Sequence, residues 1–173
     1  MRALTFWKTI TMDQVNLLER LIALLNEQGI QYCVIGGQAV NAYVEPLVSL
    51  DLDLVVALEQ LDQVESLLAK DFGFKRFPHS LNVSLPDSDL RVQIQTDPRY
   101  ADFVRRAEQR EVLGLVLPVA SLEDVLRGKV WAVQDPARRG SKRQKDLADI
   151  ARLMEAYPDL RNQVPEDILS RLL

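Results

Sequence analysis

The sequence has few of the side chains that build disulfides, soft-metal sites and nucleophile–histidine pairs. Cys33 is the only cysteine and His79 the only histidine among 173 residues. An intramolecular disulfide and a histidine–cysteine zinc site are therefore excluded. A serine hydrolase would have to use His79, and no nucleophile-elbow motif accompanies it. A metal ion bound here must be a hard cation held by oxygen ligands.

Long apolar runs are also missing. No segment approaches the length of a membrane span, and the apolar residues before Gly29 are spaced rather than continuous, unlike those of a cleavable signal. Hydrophobic residues make up 47% and charged residues 27%, which is typical of a globular chain. The net charge of −4 means that any contact with nucleic acid must come from a local patch. We expect a cytoplasmic protein, away from membranes, that forms one domain over residues 1–173.

Hydrophobic periodicity and turn residues predict strands and helices first, then helices alone. The predicted helices are 13–28, 38–43, 60–70, 99–108, 121–134, 144–156 and 166–172, and the predicted strands are 30–35, 50–56, 75–77, 81–85, 90–95 and 115–117. We expect Thr11 or Asp13 to cap the first helix, a hairpin turn at 86–89 and a flexible loop at 135–143. This order predicts an α+β fold with a mixed sheet flanked by helices. The core spans about 30–118, and the C-terminal helices, 121–173, pack on it.

Two aspartates lie two residues apart in the predicted strand 50–56. Because side chains of a strand alternate between faces, Asp51 and Asp53 point the same way, about 6.6 Å apart. A divalent cation would turn their repulsion into binding, and Mg²⁺ prefers one or two carboxylates together with substrate phosphates. The alternative is a strand with one solvated face. Against it, aspartate is disfavoured in strands, and Val55 and Val56 indicate a covered strand.

Gly36 and Gly37 lie between a predicted strand and a predicted helix. Glycines at such a junction allow a phosphate to approach the backbone amides, and the helix directs its positive N-terminus at the same point. The alternative is that the turn carries glycine for steric reasons alone.

Lys129 interrupts the apolar stripe of a predicted helix, which is formed by Leu122, Val125, Leu126, Val130 and Val133. A lysine in this slot either extends to solvent or meets an anion, such as the aspartate pair or a triphosphate. Asp146 borders the buried face of the next helix, where it could orient Lys129 or Lys145. Lys145 and Asp149 are spaced as a surface ion pair.

A run of five basic residues without an acid spans 138–145. One reading is a solvated basic entry to a helix. The other is a contact with phosphate or RNA through Arg138, Arg139, Lys142 and Arg143. No aromatic residue is interleaved, so stacking on single-stranded bases is not indicated.

Gly36 and Gly37 followed by Asp51 and Asp53 resemble the signature of the nucleotidyltransferase superfamily that includes DNA polymerase β. Lys129 and the later segment 145–150 (KDLADI) resemble the AbiEii/AbiGii-type toxin branch and its bacterial relatives. The resemblance extends over about residues 30–155. It implies a mixed sheet, a nucleoside triphosphate bound with Mg²⁺ or Mn²⁺, and transfer of a nucleotidyl group to a hydroxyl of nucleic acid, protein or a small molecule.

The sequence departs from the superfamily at a third carboxylate, which a later strand often supplies. The matching strand, 90–95, holds Gln93 at that position, or Gln95 in another register, and Asp97 lies just beyond. The carbonyl of a glutamine can bind a metal, but glutamine cannot act as a general base at neutral pH. The departure therefore bears on catalysis more than on nucleotide binding.

We therefore expect a nucleotidyltransferase-like site. Its metal ligands would be Asp51, Asp53 and Gln93, and Gly36, Gly37, Lys129 and Lys145 would contact the nucleotide; the expected catalytic residues are Asp51, Asp53, Lys129 and Asp146. The first alternative is a weakly active or inactive nucleotide- or RNA-binding relative in a toxin–antitoxin or defence pair, with a cognate antitoxin or operon partner. The second is an interaction module without a ligand.

Overall fold

The computed structural model describes residues 16–86 and 88–172. The expected caps Thr11 and Asp13 lie outside the described residues, as does Asp87 of the expected hairpin turn. The helices are α1 (Leu17–Glu27), α2 (Gly36–Asn41), α3 (Leu61–Asp71), α4 (Leu122–Gln134), α5 (Gly140–Ala156) and α6 (Glu166–Leu172). The strands are β1 (Tyr32–Ile35), β2 (Asp51–Val56), β3 (Gly73–Phe77), β4 (Ser80–Ser84), β5 (Arg91–Gln95), β6 (Glu108–Val112) and β7 (Leu115–Val119), and short 3₁₀ segments span Leu58–Gln60, Pro98–Arg106 and Pro158–Gln163.

The described strands form one mixed sheet in the order β3-β4-β5-β2-β1-β7-β6. β2 runs parallel to β5, and β1 runs parallel to β7. The other neighbouring strands are antiparallel. The prediction of an α+β fold with a mixed sheet and flanking helices is confirmed. β2 lies at the centre of the sheet, so its neighbours β1 and β5 fix its side chains from both edges.

Alternation along β2 and β5 separates a buried face from a polar face. Leu52, Leu54, Val92 and Ile94 are at most 1% exposed and fill the core. The residues between them point to the opposite face, over which α4 and α5 share a cleft with β2 and β5. The apolar core thus fixes the strands whose other faces carry the polar groups.

Two local predictions are wrong. The predicted helix 99–108 is a 3₁₀ segment, Pro98–Arg106, followed by strand β6, which the sequence reading missed. β6 pairs with β7 through a turn at Leu113 and Gly114, which both have positive φ, the geometry of a tight hairpin. The predicted loop 135–143 is also too long, because α5 begins at Gly140 rather than at residue 144.

None of the helices in the described part of the chain is both long and apolar enough to cross a membrane.

A buried aspartate stabilises the start of α4. Asp124 is 1% exposed and accepts two hydrogen bonds from Arg106, at 2.7 and 3.0 Å, and one from Arg127, at 2.7 Å. The backbone amide of Asp124 donates to the Oγ of Ser121, the N-cap of the helix. Both arginines are about half exposed, so they stay solvated while they neutralise the carboxylate.

We expect Asp124→Ala to lower the free energy of unfolding by about 1–3 kcal/mol, because it removes a fully hydrogen-bonded buried group and leaves its place unfilled. Urea denaturation measures the change. The matched control is Asp102→Ala, which removes an exposed i,i+3 partner of Arg105 and should cost under about 0.5 kcal/mol. Equal costs for the two variants would contradict this account.

Candidate functional site

The carboxylates of Asp51 and Asp53 lie at the floor of the cleft, which has a volume of about 380 Å³. Both belong to β2 and point to its polar face, as the alternation predicts. β1 supports Asp53 on one side, where Ile35 is its register partner. On the other side, Asp53 is paired with Gln93 of β5. The pairing places the amide of Gln93 beside the carboxylate of Asp53, where the superfamily often has a third acid.

Position 36 requires a glycine because the backbone there lies against the side chain of Asp53. The φ of Gly36 is +68°, a left-handed conformation that side chains rarely adopt, and an added Cβ would collide with the Oδ2 of Asp53. At Gly37, by contrast, an added Cβ would be 3.8 Å from the Oγ of Ser49, an ordinary distance. The two glycines therefore differ, since only Gly36 allows the start of α2 to lie against the carboxylate.

Burial raises the pKa of Asp53 to about 6 from its ordinary value of 3.8. The positive charge of Lys129 is the strongest influence in the opposite direction, and the negative charge of Asp51 adds to the rise. Within the described residues, the Asp53 side chain accepts no hydrogen bond and joins no ion pair, whereas Asp51 lies 3.7 Å from Arg91. Asp53 is therefore a desolvated carboxylate whose charge the protein does not fully compensate.

Lys129 of α4 points inward, and its ammonium group is shared by two carboxylates of α5. Its Nζ lies 3.0 Å from the Oδ1 of Asp146 and 2.8 Å from the Oδ2 of Asp149, and the residue is 8% exposed. The attraction of these carboxylates outweighs desolvation, so the pKa of Lys129 is raised. Of the two readings that the sequence left open, Lys129 thus meets an anion rather than extending to solvent, but its partners are Asp146 and Asp149 and not the aspartate pair of β2. The spacing of Lys145 and Asp149 suggested an ion pair between them, which is wrong because Asp149 turns towards α4.

Two arginines complete this buried ionic cluster. Arg138 donates to both oxygens of Asp146, at 2.8 and 3.2 Å. Arg152 donates to the Oδ1 of Asp149 at 2.8 Å. The cluster thus contains three cations and two carboxylates, an excess of one positive charge close to Asp53.

The basic run 138–145 does not form one continuous patch. Arg138 is bonded to Asp146, and Arg143 donates to the backbone carbonyls of Asp135 and Arg138. Lys142 and Lys145 line the cleft, and neither forms an ion pair within residues 16–86 and 88–172. Arg139 is exposed, at the N-cap of α5.

The cleft brings together most of the site residues that the sequence indicated and adds others that it did not. Gly37, Asp51, Asp53, Gln93, Lys129, Lys145 and Asp146 line it. Gly36 lines a smaller cavity of about 100 Å³ that shares Asp53 and Lys129 with the cleft. The lining residues that the sequence did not indicate as site residues include Ser49, Asp149 and Arg152. Asp149 was detectable as the second acid of the segment 145–150, whereas no sequence signal marks Arg152.

The donors on the sheet fit a hard divalent cation. Mg²⁺ binds oxygen donors of this kind, two carboxylates two residues apart and a neighbouring amide, and the only partly compensated charge of Asp53 favours a cation there. Among the described residues, no group of three or more His, Cys, Asp or Glu side chains could hold a metal ion. A cation bound here would therefore need an amide or a substrate phosphate to complete its ligands.

Solved structures of nucleotidyltransferases share the fold. The antibiotic-resistance factor ANT(2'')-Ia in complex with adenylyl-2''-tobramycin matches with a TM-score of 0.62 and 15% identity, over 93% of this chain and 99% of that one. The lincosamide antibiotic adenylyltransferase LnuA, lincomycin-bound, matches with a TM-score of 0.54 and 11% identity, over 79% and 95%. An antigenic nucleotidyltransferase-like protein from Paracoccidioides brasiliensis matches with a TM-score of 0.50 and 18% identity, over 89% and 76%. The fold is thus that of the nucleotidyltransferases.

The family can also be assigned from the sequence. Residues 57–172 match the model of the nucleotidyl transferase AbiEii toxin family, described as a type IV toxin–antitoxin system. The match covers more than half of the chain, which therefore belongs to the AbiEii family. It begins after Asp53, so it includes Lys129 and Asp146 but neither the glycines nor the aspartates of β2. No curated protein is significantly similar in sequence.

We expect Asp53→Asn to stabilise the metal-free protein at high pH. The folded-state pKa of about 6 lies above the ordinary value of 3.8, so the ionised form of Asp53 destabilises the folded protein. This destabilisation is fully present above about pH 6 and absent below about pH 4. The variant should gain about 1–3 kcal/mol at pH 8 and little at pH 4. Urea denaturation with a chelator at both pH values measures this. Asp71→Asn, on the exposed end of α3, should show no such difference, and a pH-independent effect at Asp53 would contradict the assignment.

Proposed function

We propose that this protein transfers a nucleotidyl group from a nucleoside triphosphate to a hydroxyl acceptor with Mg²⁺ or Mn²⁺. One observation carries the proposal: Asp53 lies beside its register partner Gln93, and Asp51 lies two residues from Asp53 on the same face of β2. These side chains form the floor of a cleft that is also lined by cations. Membership of the AbiEii family and the nucleotidyltransferase fold support it.

In this proposal, Asp51 and Asp53 hold the cation, and the side-chain carbonyl of Gln93 is a further ligand. The bound cation would neutralise the triphosphate and polarise the α-phosphate. Gly36 keeps the start of α2 against Asp53 without a side chain in between. In this proposal, phosphate oxygens would contact the backbone amides at the start of α2.

The cations of the cleft divide into two groups. Lys142 and Lys145 form no ion pair in the described chain, so their ammonium groups are available to phosphate oxygens. Lys129 is already paired with Asp146 and Asp149, which hold it in place while its positive charge acts on Asp53. This arrangement favours Lys145, with Lys142, as direct nucleotide contacts.

The acceptor hydroxyl would attack the α-phosphorus, and pyrophosphate would leave with the electrons of the broken P–O bond. The proton of the hydroxyl would pass to a phosphate oxygen of the substrate or to solvent water, because Gln93 cannot accept it. The catalytic contribution of this chain is therefore positioning and charge stabilisation.

A second candidate function is nucleotide or RNA binding with little transfer, and Gln93 in place of an acid favours it. Lys142 and the exposed Arg139 could contact RNA phosphates, whereas Arg138 and Arg143 are engaged within the protein. As a member of a toxin family of toxin–antitoxin systems, the protein would act beside a cognate antitoxin. We propose the cytoplasm as its location.

We expect the double variant Asp51→Asn, Asp53→Asn to lose Mg²⁺-dependent nucleotide binding by at least about tenfold, because both charged metal ligands are removed. Titration calorimetry with each of the four nucleoside triphosphates measures this. The matched control is Asp62→Asn, Asp71→Asn, which removes two exposed carboxylates from α3. Unchanged binding in the first double variant would refute the metal site.

We expect Gln93→Glu or Gln93→Asp to raise nucleotidyl transfer, because a general base contributes about 10²–10⁴-fold. Transfer of label from α-phosphate-labelled nucleotides to total RNA or protein measures the rate. Gln95→Glu, two residues along the same strand face, is the control and should add much less. Rapid transfer by the unmodified protein that Gln93→Ala does not diminish would show that Gln93 is irrelevant to the chemistry.

A further inference from the structure

The segment 42–50, here called the strap, connects α2 to β2 and forms one wall of the cleft. It has no regular secondary structure, yet side chains of the helices bind its backbone at every second residue from 43 to 49. Tyr157 donates to the carbonyl of Tyr43 at 2.9 Å, Arg152 to that of Glu45 at 2.6 Å, Asn41 to that of Leu47 at 2.7 Å, and Gln38 to that of Ser49 at 3.3 Å. The strap is thus held in one shape up to Asp51.

The firmly held backbone displays two apolar side chains to solvent. Leu47 is 59% and Val48 is 66% exposed, and both line the cleft. The other large hydrophobic side chains that are exposed in the described chain, Leu50, Leu58, Phe77 and Val116, do not line it. The rim formed by Leu47 and Val48 is therefore where a ligand of this cleft meets accessible large apolar side chains.

The chemistry of the remaining lining explains why such a rim would be useful. Apart from the buried Val83, Leu90 and Val92, polar and charged side chains and Gly37 line the rest of the cleft, and they suit the triphosphate and its cation. The base of the nucleotide is flat and largely apolar on its faces, and it gains by leaving water. Because the strap is already ordered, a base that packs on it does not have to fix a loop first.

Resting on the nucleotide site proposed above, we propose that Leu47 and Val48 form the base-binding rim of the cleft and bind a face of the nucleobase of the incoming nucleoside triphosphate. The occupant is the base rather than a protein partner, because the rim is continuous with the polar cleft that would hold the phosphates of the same molecule. Arg152 positions this rim, since it joins the Glu45 carbonyl to Asp149 of the ionic cluster.

Two probes separate the base from the phosphates: a nucleoside triphosphate and inorganic tripolyphosphate, each titrated with Mg²⁺ into the full chain. The test variants are Val48→Ser and the shape-conserving Val48→Thr, which keeps the strap intact if serine perturbs it. The matched control is Val116→Ser, since Val116 is 71% exposed and does not line the cleft. Circular dichroism melting verifies that each variant is folded.

We expect both Val48 variants to weaken binding of the best-bound nucleoside triphosphate about 5- to 20-fold, and to leave tripolyphosphate binding within about twofold. Val116→Ser should change neither. Equal binding of nucleotide and tripolyphosphate by the unmodified protein, or an unchanged nucleotide affinity in both Val48 variants, would overturn the base-binding rim but leave the nucleotide site standing. Binding of neither probe by the unmodified protein would refute the proposed function and the rim together.

Discussion

The ammonium group of Lys129, shared between two carboxylates of α5, is the interaction on which the arrangement of the site depends. It joins α4 to α5 in the wall of the cleft, where Asp146 also pairs with Arg138 and Asp149 with Arg152. A buried ion pair is weak evidence for stability, because desolvation offsets the attraction. Its evident use here is geometric, since it fixes the orientation of the helix that carries Lys142 and Lys145.

The same cluster extends to the strap and to β2, the strand that follows it. Asp149 contacts Lys129 with one oxygen and Arg152 with the other, and Arg152 reaches the carbonyl of Glu45. Asn41 then binds Leu47 at both its amide and its carbonyl. A displacement of α5 would therefore also displace the strap next to Asp51, although α5 and β2 are far apart in sequence. Rigid networks of this kind hold site residues more accurately than free loops do.

Features of this site that are set within one strand or helix could be predicted from the sequence. Features that depend on a contact between two such elements could not. The shared face of Asp51 and Asp53 requires only that β2 be a strand, and the inward direction of Lys129 requires only the stripe of α4. The difference between Gly36 and Gly37 depends on the distance to Asp53 across two strands. Strand β6 was missed because, as an edge strand, it carries polar residues on both faces and lacks the alternation of a half-buried strand.

The pairing of Asp149 illustrates the same limit. The i,i+4 rule joins Asp149 to Lys145 within one helix and takes no account of a neighbouring helix. In the folded protein, the side chain of Asp149 is only 13% exposed, and a carboxylate in that environment gains more from a buried cation than from a solvated one. The rotation of α5 about its axis, set by the burial of Leu147 and Ile150, therefore decides the partner.

The charges of the site bear differently on the two parts of the proposed function, which are binding of the nucleotide and activation of the acceptor hydroxyl. Burial raises the pKa of Asp53 although nearby cations partly compensate its charge, so a bound cation would be favoured there. The amide of Gln93 beside it would neither attract that cation strongly nor accept a proton. An acid at that position would place three carboxylates around one cation and would also supply the missing base. With glutamine, the excess positive charge of the Lys129 cluster would weigh more heavily near the proposed metal site, which would favour an anionic triphosphate. In the proposed function, Gln93 would therefore favour holding a nucleotide over activating the acceptor.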